Sequence, residues 1–309
     1  MMRLALNFDN PGIEQALIEG APGIEIVKLS QDDVDCCADI VLTPMKGSLA
    51  LPEVLTRCRG LRWVHVLGTG VDSFPFELAG DRLISCSRGA TAVPIAEWVL
   101  AMMLSFEKQL PESWVTAPRT DGFSGNLGTL EGRTLGLLGF GTIAREIAPR
   151  ALAFDMRIVA KVRSHRPSPV TGVEFVESLD TVLGEADHLV LALPATSDSH
   201  GLLNASNLAR TKAGVHLVNV ARASLLDQES LKELLDSGHI AAASLDVVEP
   251  EPPPAGHWLY SHPRVRLSPH ISWSGPKIVE KMLAKFLGNL RAFTKGEPLE
   301  GLVDVDAGY

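Results

Sequence analysis

Thr134-Leu135-Gly136-Leu137-Leu138-Gly139-Phe140-Gly141-Thr142-Ile143-Ala144-Arg145 runs from a short apolar stretch through spaced glycines into a helix-period pattern that continues through Ile147, Ala148 and Leu152. Strand, tight turn and helix in that order are the context in which Gly-x-Gly-x-x-Ala reads as a dinucleotide fingerprint. Gly139 suits the positive φ of such a turn. Gly141, lacking a side chain, lets a pyrophosphate approach the backbone where the helix opens, and the free N–H groups and dipole there favour an anion. Ala144 takes the third small position, which allows helix and strand to pack closely.

Downstream, apolar runs at 157–162, 174–176, 188–193, 215–221, 241–247 and 265–268 alternate with helical patterns near 179–185, 205–208 and 229–235, and a last helix is expected over 275–294. Upstream, runs at 4–8, 24–29, 40–43, 63–67 and 83–87 alternate with helical patterns at 13–18 and 51–57. Continuous apolar strands between helices indicate parallel sheets covered on both faces, the doubly wound α/β pattern. Between the two runs, the segment 93–106 is apolar on nearly every side, with Pro94 in its first turn. Such a helix is expected to be buried all round, between domains or subunits. Residues 108–130, with Gly122, Gly125, Gly128, Pro111 and Pro118, read as an irregular connector.

The chain has 309 residues, enough for two cores. Hydrophobic residues make up 46% and charged residues 21%, as in soluble globular proteins. A net charge of −9 leaves no basic excess for nucleic acid. Cys36, Cys37, Cys58 and Cys86 show no Cys-x-x-Cys spacing, which points to reduced thiols rather than disulfides or a metal site. With neither a signal peptide nor a membrane-length apolar run, a cytoplasmic protein is expected.

The second strand of a dinucleotide-binding unit normally ends in an acid that binds the adenosine ribose. Here Val162 stands in that place, followed by Arg163-Ser164-His165-Arg166. The change removes the repulsion of a 2′-phosphate and supplies donors to it through Arg163, Ser164 and Arg166, so NADP(H) is preferred and NAD(H) possible. The alternative is a solvated basic loop. Arg222, Glu251 and His270 each follow a predicted strand's carboxyl end, where they can converge for reduction of a 2-keto acid. Arg222 would grip the carboxylate and polarise the keto oxygen, and His270 would protonate it. Glu251, bonded to the other imidazole nitrogen, would favour the imidazolium. The turn Leu67-Gly68-Thr69-Gly70-Val71-Asp72 can hold a carboxylate on backbone amides, or simply end a strand. Lys46 can face the substrate or solvent, and Trp273 can wall a pocket or sit in a core.

Leu138-Gly139-Phe140-Gly141-Thr142-Ile143-Ala144, Leu193-Pro194-Ala195-Thr196, Val218-Asn219-Val220-Ala221-Arg222-Ala223, Leu245-Asp246-Val247-Val248-Glu249-Pro250-Glu251-Pro252 and Pro269-His270-Ile271, with Thr69-Gly70-Val71-Asp72 and Ala96-Glu97, carry a resemblance along nearly the full chain. By these motifs it resembles the D-isomer-specific 2-hydroxyacid dehydrogenases, especially their glyoxylate/hydroxypyruvate reductase-like members. The resemblance implies a flavodoxin-like substrate domain (1–97 and 272–309) with an inserted Rossmann coenzyme domain (98–271), and a homodimer formed through the helix at 93–106. It implies that Arg222 anchors substrate, His270 donates the proton with Glu251 as its partner, and the Gly70 and Val71 amides hold substrate. Gly139, Phe140, Gly141, Thr142, Ile143, Leu193, Pro194, Val220, Ala221, Asp246, His270 and Ser272 are the candidate cofactor contacts, Asp246 at the nicotinamide carboxamide. Ala223 replaces the family's usual glycine, a small change. The expected activity is NADPH-dependent reduction of a small 2-keto acid, with no metal. The alternatives are an NAD-linked dehydrogenase working oxidatively, or a nucleotide-gated protein-binding module like the C-terminal-binding-protein corepressors.

Overall fold

The computed structural model describes residues 1–30, 37–115, 117, 125–163 and 167–309. These form two compact units, Met1–Thr91 with Gly275–Tyr309, and Ala92–Ser274, the second inserted in the chain of the first. The elements of the smaller unit begin with β1 (Arg3–Leu6), α1 (Pro11–Gly20), β2 (Glu25–Lys28), β3 (Ile40–Thr43), α2 (Leu51–Arg57), β4 (Trp63–Val66) and β5 (Leu83–Cys86). The larger unit contains α3 (Ala92–Glu107), β6 (Thr134–Leu138), α4 (Thr142–Leu152), β7 (Arg157–Lys161), β8 (Val173–Val176), α5 (Leu179–Glu185), β9 (His188–Leu191), α6 (Ala205–Leu208), β10 (Val215–Asn219), α7 (Gln228–Ser237), β11 (Ile240–Leu245) and β12 (Val265–Leu267). The last helix, α8 (Ile278–Lys295), returns to the smaller unit.

Both sheets are parallel. The smaller has the order β2-β1-β3-β4-β5 and the larger β12-β11-β10-β9-β6-β7-β8, the flavodoxin-like order and the dinucleotide-binding order with one strand added. Two doubly wound domains are therefore present, as the alternation of apolar runs required. Strand periodicity splits each sheet's side chains between two cores. Leu4, Leu6, Ile40, Leu42 and Trp63 pack with Leu17 of α1 and Phe286 of α8, while Ala5, Val41, Val64 and Ile84 pack with Val54 of α2. In the larger unit Leu135, Leu137, Ile158 and Val190 meet α3 and α4, and Leu138, Val159, Leu189 and Leu217 meet α5 and α7. Gly136 makes the second packing possible, since a Cβ there would lie 2.6 Å from the Cβ of Ala186 and 2.9 Å from Cγ1 of Val182.

The breaks between units lie at Thr91/Ala92 and Ser274/Gly275 rather than at the expected residues 97 and 271. All of α3 belongs to the larger unit because Ile95, Ala96, Val99 and Met103 share a core with Ile147 of α4. Residues 272–274 stay with it because Ser272 is tied to Asp246. Within the chain α3 is not buried all round. Ala92, Ile95, Ala96, Val99, Leu100, Met103 and Glu107 are buried, but Trp98, Met102, Leu104 and Phe106 are only half-buried and Glu97 and Ala101 exposed. Its apolar content exceeds what one face against α4 can cover. The described residues of the connector form turns and bends, with no helix or strand.

A buried polar chain crosses the smaller unit. The Trp63 indole N–H donates to Ser85 Oγ (2.8 Å), Ser85 Oγ lies 2.8 Å from His65 Nδ1, His65 Nε2 lies 3.1 Å from Ser87 Oγ, and Ser87 donates to the Met282 carbonyl on α8 (3.4 Å). Every donor and acceptor is matched with His65 neutral and its proton on Nε2, Ser85 donating to Nδ1 and Nε2 to Ser87. Burial holds that imidazole down at about 3. The unfolded chain takes up this proton near the ordinary value of about 6.5 and the folded chain does not, so stability falls as pH drops from there toward the folded value. His65→Gln is expected to remove about 2–3 kcal/mol of the stability difference between pH 6.5 and 4.5, one proton's worth at about 1.4 kcal/mol per pH unit. Urea melts at the two pH values test this, and equal pH dependence in the two proteins would show that His65 is not held neutral.

Candidate active site

The order in which the chain adds strands to the larger sheet reverses between β6 and β9, and open α/β sheets bind ligands at the carboxyl ends of strands around such a point. The fingerprint lies there. Gly139 has φ +91°, and a Cβ on it would sit 2.9 Å from the Ala192 carbonyl oxygen and 2.9 Å from Leu193 Cβ. Leu193 closes over this turn because β9 stops at Leu191 instead of running on to residue 193. Gly141 is the N-cap of α4 and makes no side-chain cap, so the first amides of the helix face outward. A Cβ added to Gly141 meets no protein atom within 4 Å. The fold alone does not demand glycine there, and the space it leaves in front of the helix amides fits the close approach of a dinucleotide's phosphates. Ala144 is fully buried and packs in the core between α4 and the sheet. Thr142 and Ile143 form the first turn of α4, exposed and half-buried. The Phe140 side chain goes into the core against Phe175, ring centroids 4.8 Å apart, so only its backbone is placed to meet a cofactor.

The Gly139 amide donates to the Lys161 carbonyl (3.2 Å), which sets the end of β7 beside the fingerprint turn. Val162 follows, buried, with its N–H on the Val176 carbonyl, so a valine ends the strand where an acid would bind a ribose. Arg163 is exposed. Ser164 and Arg166 lie outside the described residues. Pro194 belongs to a turn closed by Ser199, whose Oγ donates to the Pro194 carbonyl (2.8 Å) and accepts from the Thr196 amide (2.8 Å).

At the end of β10, buried Asn219 accepts from the Ala221 amide (3.0 Å) and donates to the Arg222 carbonyl (3.0 Å). This amide clamp, which no motif spacing reveals, shapes Val220-Ala221-Arg222. Val220 and Ala221 are buried and Arg222 is half-buried, its Nη1 donating to the Ala221 carbonyl (2.6 Å). Next along the edge, the Asp246 amide donates to the Asn219 carbonyl (3.0 Å). The loop after Asp246 is held by Gln228, which bonds the Glu249 backbone through both its amide atoms. That loop presents Glu251, whose Oε1 lies 2.8 Å from His270 Nδ1. Both side chains are partly exposed, and His270 Nε2 has no partner among the described residues. The larger unit therefore brings the fingerprint, Arg222, Asp246, Glu251 and His270 to one sheet edge. Ser272 is buried and its amide donates to Asp246.

In the smaller unit, Gly68–Asp72 follows β4. The Ser87 amide donates to the Gly68 carbonyl (2.9 Å), and the Gly70 and Val71 amides have no partner among the described residues. Lys46 is exposed, on a loop riveted by buried Asn7, which bonds Thr43 and both backbone atoms of Leu49. Among the described residues, no cluster of acids, histidines or cysteines suits a metal, and no helix is long and apolar enough to cross a membrane.

Known proteins resemble this chain in sequence and in fold. Residues 100–272 match the model of the family described as D-isomer specific 2-hydroxyacid dehydrogenase, NAD binding domain. The chain is 33% identical over 256 residues to a hydroxypyruvate reductase of Thermotoga maritima, covering 78% of this chain and 83% of that protein. It is 32% identical over 262 residues to a D-3-phosphoglycerate dehydrogenase of Bacillus subtilis, covering 82% of this chain but spanning only about half (49%) of that relative. Among solved structures it resembles an NADPH-dependent glyoxylate/hydroxypyruvate reductase from Sinorhizobium meliloti in complex with NADP and sulfate, with TM-score 0.84, 26% identity and 100% of both chains covered. It also resembles a D-isomer specific 2-hydroxyacid dehydrogenase from Xanthobacter autotrophicus in complex with NADPH, with TM-score 0.83 and 26% identity over 100% of this chain and 99% of the other. The chain belongs to the D-isomer-specific 2-hydroxyacid dehydrogenase family of NAD(P)-dependent oxidoreductases.

Proposed function

We propose that this protein reduces a small 2-keto acid of the glyoxylate or hydroxypyruvate type to the D-2-hydroxy acid, with NADPH as the preferred cofactor. The observation that carries the reading is the His270–Glu251 pair, 2.8 Å apart at the edge that also bears Arg222 and the fingerprint. A bound nicotinamide supplies the hydride. Arg222 grips the substrate carboxylate and polarises the keto oxygen, stabilising charge as it develops. His270, oriented through Nδ1 by Glu251, gives the Nε2 proton to that oxygen. In the smaller unit, the Gly70 and Val71 amides are proposed to take a carboxylate.

The preference for NADPH is supported by Val162 in place of a ribose-binding acid, with Arg163 next to it, and by the NADP and NADPH bound in two solved relatives. Assays of glyoxylate, hydroxypyruvate and larger 2-keto acids with NADPH and NADH in parallel test both parts. The expected result is a higher kcat/KM with NADPH on a small keto acid. Equal values for the two cofactors would remove the preference, and no turnover on any keto acid would remove the activity.

The half-buried Trp98 and Met102, four residues apart on one face of α3, support a homodimer in which a second copy covers them. Sedimentation at micromolar concentration is expected to give twice the chain mass, and a monomer would contradict this.

A further inference from the structure

His270 has φ +54°, in the left-handed region that only a few per cent of non-glycine residues occupy, Asn, Asp and His more often than the rest. Such a backbone persists only where its surroundings over-determine it. Here they do. The Asp246 carboxylate, almost wholly buried at the end of β11, accepts from Ser268 Oγ (2.5 Å), the Ile271 amide (2.9 Å) and the Ser272 amide (3.0 Å). These donors bracket His270 in the chain, so the loop wraps around the carboxylate with His270 at its crest. On the outer side, the Trp273 indole N–H donates to the His270 carbonyl (2.8 Å). Backbone and side chain are then set together, and Nδ1 meets Glu251.

We propose that Asp246 and Trp273 are positioning residues that hold His270 in this left-handed conformation, Asp246 from within the sheet edge and Trp273 from outside. The inference rests on the proposed reaction for what His270 does, but not for how His270 is held. It differs from the nicotinamide contact that family resemblance implies for Asp246. A carboxylate offers about four lone-pair sites, and the loop's three donors take three of them, so most of its bonding capacity is spent on the loop and one site remains for any other donor. A role at the ring predicts loss of cofactor affinity; a role in holding His270 predicts loss of turnover with affinity kept.

The test uses the full chain carrying Trp273→Phe, which keeps the ring and deletes the N–H at a partly exposed site, and separately Asp246→Asn, which cannot accept from all three donors. Cofactor Kd, kcat and the pH profile of kcat are measured, together with the imidazole titration of His270 by NMR of histidine-labelled protein. Trp273→Phe is expected to lower kcat about tenfold and Asp246→Asn about a hundredfold, the scale of a small misplacement of a reacting group. Cofactor Kd should stay within about twofold, as only the donor's aim changes. The His270 titration curve should move in both variants, and the pH profile with it. An unmoved titration curve and wild-type kcat in Trp273→Phe would overturn the proposal, as would a loss in Asp246→Asn confined to cofactor Kd. If the wild type reduces no keto acid, the NMR titration still decides how His270 is held, so failure of the reaction and failure of the positioning are distinguishable. If Asp246→Asn does not fold, Trp273→Phe decides alone.

Discussion

Arg222→Ala is expected to lower kcat/KM for keto-acid reduction by about 10²–10³-fold, the usual loss when one donor to a developing oxyanion is removed. The loss should fall on kcat as well as KM, because the guanidinium both holds the carboxylate and meets charge that grows only as the carbonyl is reduced. Arg222→Lys keeps the charge but not the fork, and should recover only part of the activity. The protein should fold normally, because Asn219 still holds the loop at Ala221 and Arg222 when the guanidinium's bond to the Ala221 carbonyl is lost. Steady-state kinetics at saturating cofactor measure the effect, with a thermal melt as control. Wild-type turnover in Arg222→Ala would remove the anchor assignment.

His270→Gln is expected to slow reduction by about 10²–10³-fold, within the usual contribution of a positioned general acid. Its second signature is the pH profile. A proton donor must carry its proton, so the wild-type reduction rate should be high at low pH and fall as pH rises and the imidazole deprotonates. In His270→Gln that fall should disappear, leaving a low, flatter profile. Glu251→Gln keeps the bond to Nδ1 without the negative charge, and its profile should fall at lower pH than the wild type's, because the imidazolium loses its counter-charge. A wild-type profile unchanged in His270→Gln would show that the proton comes from elsewhere.

The two reactive side chains owe their aim to neighbours that do no chemistry. Arg222 lies in a loop that the Asn219 amide bonds at two points, and His270 lies between residues that bond the Asp246 carboxylate, with its own carbonyl on the Trp273 indole. Turnover should therefore be sensitive to substitutions at Asn219, Asp246 and Trp273 even where the reactive groups are intact.

The fold could be read directly from the chain because its cause is repetitive: short apolar runs alternating with helix-period segments leave few arrangements other than two covered parallel sheets. The fingerprint was equally readable, since tight turn, open helix end and small packing position each impose a residue type at a fixed spacing. Motif order also placed Arg222, Glu251 and His270 at strand ends. What needed the tertiary structure was everything set by contacts remote in sequence. The hold of Asp246 on residues 22 to 26 positions away, the inward turn of Phe140, the left-handed backbone at His270 and the neutral state of His65 depend on which strands become neighbours. The crossover between units depended on it too, since which core claims α3 is decided by packing against α4 and not by any local signal. Local propensity and periodicity are written residue by residue. A buried polar group's partner is chosen only when the sheet closes and leaves one place to make its bond.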